Sequence, residues 1–240
     1  MRKVLIAILL LAWVVPALAT PPPLDGSRQA VVVLTESWRA RKGTLTRYER
    51  SSSGAWLRVG GSLPVIVGRN GMAWGLGLHP TPEAPERVKR EGDGCAPAGV
   101  FRLTSLFGFG QAPPPAHALP YTELTSDTAG VDDPDSRHYN RIVRPGPDVV
   151  RDWKSAERMR IPDYRVGIVV DHNPEPLKGA GSCIFMHLWV APDVPTSGCT
   201  ATSYSNMRML ADWLRRDAHP ALVQMPREAY ARYREPWGLP

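Results

Sequence analysis

After position 30 the chain alternates short apolar runs with clusters of glycine, proline and serine, and the period of those runs is that of strands. Val31 to Leu34 is a compact β-branched run and the first expected strand. Thr44 to Arg50 and Ala55 to Val59 flank Ser51-Ser52-Ser53-Gly54, the pattern of a hairpin closed by a glycine-containing turn. Pro64 to Val67 is a fourth run, and another strand starts near Gly99. Tyr164 to Asp171 reads as a strand ended by His172-Asn173-Pro174, Cys183 to Val190 as the next, and Ala221 to Met225 as the last. Side chains alternate across a strand, so Cys183, Phe185, His187 and Trp189 share one face and Ile184, Met186, Leu188 and Val190 the other. Both faces are bulky, which predicts a central strand. Only Met207, Leu210, Ala211 and Leu214 recur at helical spacing, with capping residues ahead of them in Thr200 to Asn206. The expected fold class is mostly β with few helices.

The intervening segments read as loops. Thr20 to Gln29 is a proline-rich lead expected to form an extended arm, and Pro80 to Lys89 is a charged connector. Glycines at 68, 71, 75 and 77 imply a backbone that bends closely around something. Gly108 to Pro120 is a loop, and Tyr230 to Pro240 is an aromatic, basic tail. Asp132 to Asn140 gathers three carboxylates but lacks the downstream glutamate that closes a calcium loop, so it reads as an Asx-rich turn.

Composition changes this picture at the N-terminus. Met1-Arg2-Lys3, an apolar run from Val4 to Val15 and Ala17-Leu18-Ala19 have the layout of a secretory signal peptide over residues 1–19. Residues 20–240 suffice for one sizeable core or two small ones and show no heptads or internal repeats, so a single domain is expected, exported to the periplasm or cell envelope. Loss of Arg2 and Lys3 lowers the formal charge from +6 to +4. The remaining cations are interleaved with acids, as in Arg215-Arg216-Asp217, which argues against a nucleic-acid surface. Three cysteines in an exported chain leave one unpaired. Cys183 lies in an apolar run and Cys199 on a small-residue turn, so the expected pairing is Cys95 with Cys183, leaving Cys199 free.

The candidate chemistry sits between His187 and Cys199. A thiol at its ordinary pKa is mostly protonated at neutral pH, and a nucleophilic cysteine needs a base or a positive neighbour within reach. His187 is the nearest base in sequence, and Gly198 allows a tight turn through which a substrate carbonyl can approach the amides around Cys199. A helix after the turn would aid the thiolate if its N-terminus faced Cys199. Cys183, His187 and Cys199 are all zinc-ligand types, but their spacing is not that of a zinc site, and no metal or other cofactor is expected.

The block from His187 to Thr196-Ser197-Gly198-Cys199 resembles the active-site signature of the L,D-transpeptidase (YkuD-type) family of cell-wall enzymes. Gly68 to Gly75, Glu91 to Phe101, Asp132 to Asn140 and Gly181 to His187 resemble further blocks of a secreted bacterial branch of that family. The resemblance implies a β-sandwich or barrel catalytic domain whose substrate is the peptidoglycan stem tetrapeptide. It implies a Cys199 nucleophile that attacks the carbonyl of the L-centre of diaminopimelate, releases D-alanine and passes the acyl group to an amine or to water. By the same resemblance His187 is the base, oriented by a backbone carbonyl, here that of Leu188. Trp189, Thr196, His172 and Asn173 are candidate substrate contacts, and no partner protein is implied. Two positions depart from the family pattern: Ser197 stands where a second histidine is usual, and Ala201 where an arginine or asparagine is usual. Hydrolysis of the same bond, or a wall-binding module without chemistry, are the alternatives.

Overall fold

The computed structural model describes residues 21–110 and 118–240. The signal-peptide segment and the middle of the 108–120 loop lie outside the described residues. The strands in chain order are β1 (Gln29–Thr35), β2 (Lys42–Arg50), β3 (Trp56–Ile66), β4 (Met72–Trp74), β5 (Ala96–Gly108), β6 (Tyr121–Glu123), β7 (Ala129–Val131), β8 (Arg141–Val143), β9 (Glu157–Arg158), β10 (Val166–Val170), β11 (Phe185–Leu188), β12 (Thr200–Thr202) and β13 (Ala221–Pro226). Two α-helices follow the last strands of the cleft and the barrel, α1 (Tyr204–Trp213) and α2 (Arg227–Tyr233).

One large mixed sheet runs β10-β11-β12-β3-β2-β1-β13-β5-β4, and β10 also pairs with β5. That second pairing closes the sheet on itself. Closure is possible because β5 is long: its first half pairs with β13 through Gly99 to Arg102, and its second half pairs with β10 through Leu103 to Gly108. β1 lies between antiparallel β2 and parallel β13, so both its faces are covered and its β-branched run is buried almost throughout. The β2–β3 ribbon reaches into solvent, and its burial is correspondingly partial. A small separate sheet, β8-β7-β9, flanks the mouth of the large one.

Two apolar clusters result. The main core joins β1, β5 and β13 to the buried face of α1, formed by Met207, Leu210 and Ala211. A smaller cluster of Phe107, Leu124, Met159, Tyr164, Cys183, Phe185 and Cys199 fills the space between the large sheet and the small one. β11 divides them as its alternation predicts, with Ile184 and Met186 in the main core and Cys183 and Phe185 in the smaller cluster.

Several expectations are corrected. All three cysteines are free, so the Cys95–Cys183 disulfide does not form. The Cys95 sulfur is engaged by Arg87 Nη2 at 3.3 Å and faces the Asn70 carbonyl at 3.6 Å, whereas the Cys183 thiol faces the Val131 carbonyl of β7 at 3.6 Å. The two thiols are thus committed to different neighbours. The lead before β1 is packed rather than extended: Leu24 is fully buried, turns link Asp25 to Pro22 and Ser27 to Leu24, and the Arg28 amide donates to Ala218. Pro64 to Val67 is not a separate strand, since β3 continues through it to Ile66. Thr200 to Thr202, read as a polar cap, is strand β12, and the tail contains α2. The Asx reading of the acidic segment is met locally, with Asp133 Oδ1 accepting the Asp135 amide at 3.0 Å.

Candidate active site

His187 and Cys199 are brought together by one pairing. β11 and β12 are parallel neighbours, with Met186 opposite Thr200 and His187 opposite Ala201, so Cys199 sits just ahead of β12 beside Phe185. The turn that delivers it is held from within. The Thr196 hydroxyl donates to the Cys199 carbonyl at 2.6 Å and accepts the Gly198 amide at 3.2 Å. Gly198 has φ +153°, and a Cβ there would lie 3.0 Å from the Cys95 carbonyl, so glycine is the residue that fits between the turn and β5.

Both reactive candidates are nearly buried, at 9% exposure for Cys199 and 8% for His187. Burial pushes the Cys199 thiol up to about 12, with the Glu157 carboxylate acting in the same direction and the Phe185 amide, 3.3 Å from Sγ, opposing it. Burial lowers the His187 pKa despite the bond from Nδ1 to the Leu188 carbonyl at 2.8 Å. That bond makes Nδ1 the protonated nitrogen and leaves Nε2 as the basic one. The resting pair is therefore a neutral thiol and a neutral imidazole. The sulfur's hydrogen-bond partners in this state are the Phe185 amide and the Cys183 carbonyl, at 3.6 Å, and His187 Nε2 is not among them.

These groups open into a cleft of about 520 Å³. Trp189, Thr196 and Ser197 line it with His187 and Cys199, and Val190 and Val194 form an exposed apolar lip. Arg69 Nη1 donates to Ser197 Oγ at 3.1 Å. A guanidinium brought from the β3–β4 turn thereby binds Ser197, the residue that stands where the family pattern has its second histidine. The facing wall is acidic and comes from the small sheet and its surroundings: Glu91, Asp132, Glu157 and Asp163. Burial raises the Glu157 carboxyl to about 7, and the negative charges of Asp132 and Glu91 add to the rise while the Tyr164 hydrogen bond works against it. Among the described residues no group of three or more His, Cys, Asp or Glu side chains is arranged to hold a metal ion.

Residues 29–223 match the YkuD family, the L,D-transpeptidase catalytic domain. The chain belongs to this family. The assignment covers the closed sheet, the cleft and α1, and it accounts for the mostly β architecture. No curated protein matches the chain at a significant level. Members of the L,D-transpeptidase family are typically acyl-transferring enzymes that act on cell-wall peptides.

Within this L,D-transpeptidase domain, two of the sequence candidates fall outside the cleft. His172 is 1% exposed; its Nδ1 accepts the Leu76 amide at 3.2 Å and its Nε2 lies 2.9 Å from the Ala180 carbonyl. Gly75 makes room for the ring, since a Cβ there would fall 2.9 Å from His172 Nδ1. The glycine-rich segment therefore wraps a histidine, not a ligand. Asn173, at φ +53°, ties down the following loop through the Leu177 amide and the Leu177 and Gly181 carbonyls. The expected contribution of the α1 dipole is also absent. β12 separates Cys199 from the Ser203 cap by four residue steps, roughly 13 Å at strand rise, and a helix terminus acts only over about its first turn. Sequence reasoning missed Glu157, Tyr164, Arg69 and Lys89 as cleft residues. They come from segments far from the Cys/His block; Arg69 lies in the Gly68 to Gly75 block, but nothing in that block says that it reaches Ser197, and only the chain's closure assembles the four.

Proposed function

We propose that the protein is an exported L,D-transpeptidase that acts on peptidoglycan stem tetrapeptides through a Cys199 thioester. Family membership supports the cell-wall substrate class. The observation that carries the mechanism is the His187 Nδ1 to Leu188 carbonyl bond, which fixes a basic Nε2 in the cleft that also exposes Cys199. In the first half-reaction Nε2 takes the thiol proton as Sγ attacks the carbonyl of the L-centre of diaminopimelate. A carbon–sulfur bond forms, the amide bond to D-alanine breaks, and the imidazolium returns its proton to the departing amine. In the second half an amine of a neighbouring stem attacks the thioester, and Cys199 is released.

Arg69 gives the cleft a cationic group for the carboxylates of the stem, whereas Lys89 is buried and paired to Asp93 at 2.7 Å. The neutral thiol–imidazole pair protects the nucleophile until a substrate is bound. Incubation with purified muropeptide tetrapeptide, followed by intact-mass and product analysis, tests the reading. The expected result is an acyl adduct on Cys199, released D-alanine and a cross-linked dimer, all lost in Cys199→Ala. Release of D-alanine with only the tripeptide formed would make the protein a hydrolase of the same bond, and no adduct at all would remove the catalytic reading.

A further inference from the structure

The transfer reaction has a proton balance that thiol and imidazole do not close by themselves. Once Cys199 is acylated, His187 has given up its proton and is neutral. An acceptor amine arrives at neutral pH as an ammonium, because the ordinary pKa of an alkylamine is about 10. The ammonium carries three N–H bonds and the product amide carries one. The departing Cys199 sulfur takes back one of the two protons released. The other needs a second base, and it must leave first, because only the neutral amine has a lone pair to attack with.

The wall facing His187 holds one. Glu157, in β9, lines the same cleft as Cys199, and its Oε2 accepts the Tyr164 hydroxyl at 2.9 Å. Tyr164 is clamped by rings on three sides, with centroids 5.6 Å from Phe107, 5.7 Å from Phe185 and 5.1 Å from His187, so the donor that orients Glu157 also packs edge-on against the candidate base. Asp132 and Glu91 stand on the same wall. Glu91 Oε2 is already used by Tyr139 and Ser182, but Asp132 Oδ1 is buried without a hydrogen-bond partner. A cationic donor docked beside Glu157 would supply one. Of the cleft's cations, Lys89 is paired with Asp93, and Arg69 keeps its charge but is directed to the neutral Ser197 hydroxyl rather than to this wall. Asp163 adds a further carboxylate to the cleft lining, and the Cys183 and Cys199 thiols are held neutral.

We propose that Glu157 is the base of the second half-reaction, binding the acceptor ammonium and taking its first proton. The carboxylate becomes a carboxylic acid and the ammonium an amine. The amine nitrogen attacks the thioester carbon, the carbon–nitrogen bond forms and the carbon–sulfur bond breaks. The electron pair leaves on Sγ, which receives the second N–H proton by way of His187, and Glu157 returns its proton to solvent. Its pKa of about 7 suits both steps. Hydrolysis does not need Glu157, because water arrives neutral: it gives one proton to His187 as it attacks, and the other stays on the carboxylic acid formed.

The inference rests on the transfer reading above, and Glu157→Gln separates the two. Gln keeps an oxygen for the Tyr164 hydroxyl. With muropeptide tetrapeptide as donor and acceptor at pH 7, Cys199 should still be acylated, while the ratio of dimer to hydrolysed tripeptide falls about 100-fold. The ratio should recover as pH approaches the acceptor's own pKa of about 10. An unchanged ratio, or loss of acylation in the variant alone, overturns the role given to Glu157. A wild type that forms no adduct overturns the transfer reading itself, and this role with it.

Discussion

His187 and His172 are both buried, both end up neutral and both bond to backbone, yet they sit in regions built for opposite purposes. In the glycine-rich turn both nitrogens of His172 are consumed, one by the Leu76 amide and one by the Ala180 carbonyl, and Gly75 leaves no space for anything else beside the ring. In the cleft only Nδ1 of His187 is consumed, by Leu188, and the other nitrogen shares a cavity with a thiol. Burial and a shifted pKa are common to the two. What sets His187 apart from a structural clamp, and fits it for the proposed proton transfer, is the uncommitted nitrogen.

Exchanging each ring for glutamine should split the two roles, and this is the largest effect expected. His187→Gln removes the only basic nitrogen beside Cys199 and should lower the rate of D-alanine release at least 100-fold with little change in melting temperature. His172→Gln should do the reverse. It forfeits ring packing against Phe101 at 5.9 Å and leaves at least one of the Leu76 and Ala180 groups unsatisfied, for a loss of about 2–4 kcal/mol in denaturant unfolding. Activity per folded molecule should stay near wild type. If His172→Gln abolished turnover while leaving stability intact, the distinction between the two rings would be lost.

Acid gives a smaller and graded version of the same contrast. Burial lowers the His172 pKa from 6.5 to about 4, so the folded state binds this proton less well than the unfolded chain does. Its neutral form contributes stability that is complete above pH 6.5 and is lost as pH falls towards 4, up to about 3 kcal/mol. Denaturant titrations between pH 7 and 4 should show this decline, and it should be flatter by about that amount in His172→Gln. A decline of the same steepness in the variant would assign it to other groups, His79 first, whose pKa burial also lowers to about 4.

The two regions also differ in how far the sequence discloses them. The strand alternation at Cys183 to Val190 defines which side chains share the His187 face, and the resemblance around Thr196 to Cys199 supplies the family, because both are short-range patterns. The Leu188 carbonyl is the expected orienter and is the one bonded to His187. Glu157 is invisible by comparison. It lies in a two-residue strand within a polar stretch, and its environment exists only after β9 pairs with β7 and Tyr164 packs beneath His187. The same limit explains the cysteine error: counting thiols in an exported chain predicts a bridge, but the partners each sulfur meets, Arg87 and Asn70 for Cys95 and Val131 for Cys183, come from distant segments that no count contains.

The cysteines therefore give the finest test of the comparison. Cys95 belongs to the structural side, at the start of β5 against Arg87 and Asn70, whereas Cys183 and Cys199 belong to the cleft cluster. With no disulfide, protein prepared without reductant and unfolded in denaturant should titrate three thiols; one thiol would restore a bridge. Cys95→Ser swaps a buried thiol for a hydroxyl that can still donate to Asn70, so the expected loss is only about 1 kcal/mol, with turnover unchanged. A loss of 3 kcal/mol or more, removed by pretreatment of the wild type with reductant, would mean that Cys95 is bridged in solution. In native protein, the rate of Cys199 alkylation should keep rising beyond pH 9, because its thiol is raised to about 12 and little thiolate is present at neutrality. A plateau near pH 7 would instead indicate a preformed thiolate–imidazolium pair, and the cleft would then hold its charges ready before substrate arrives.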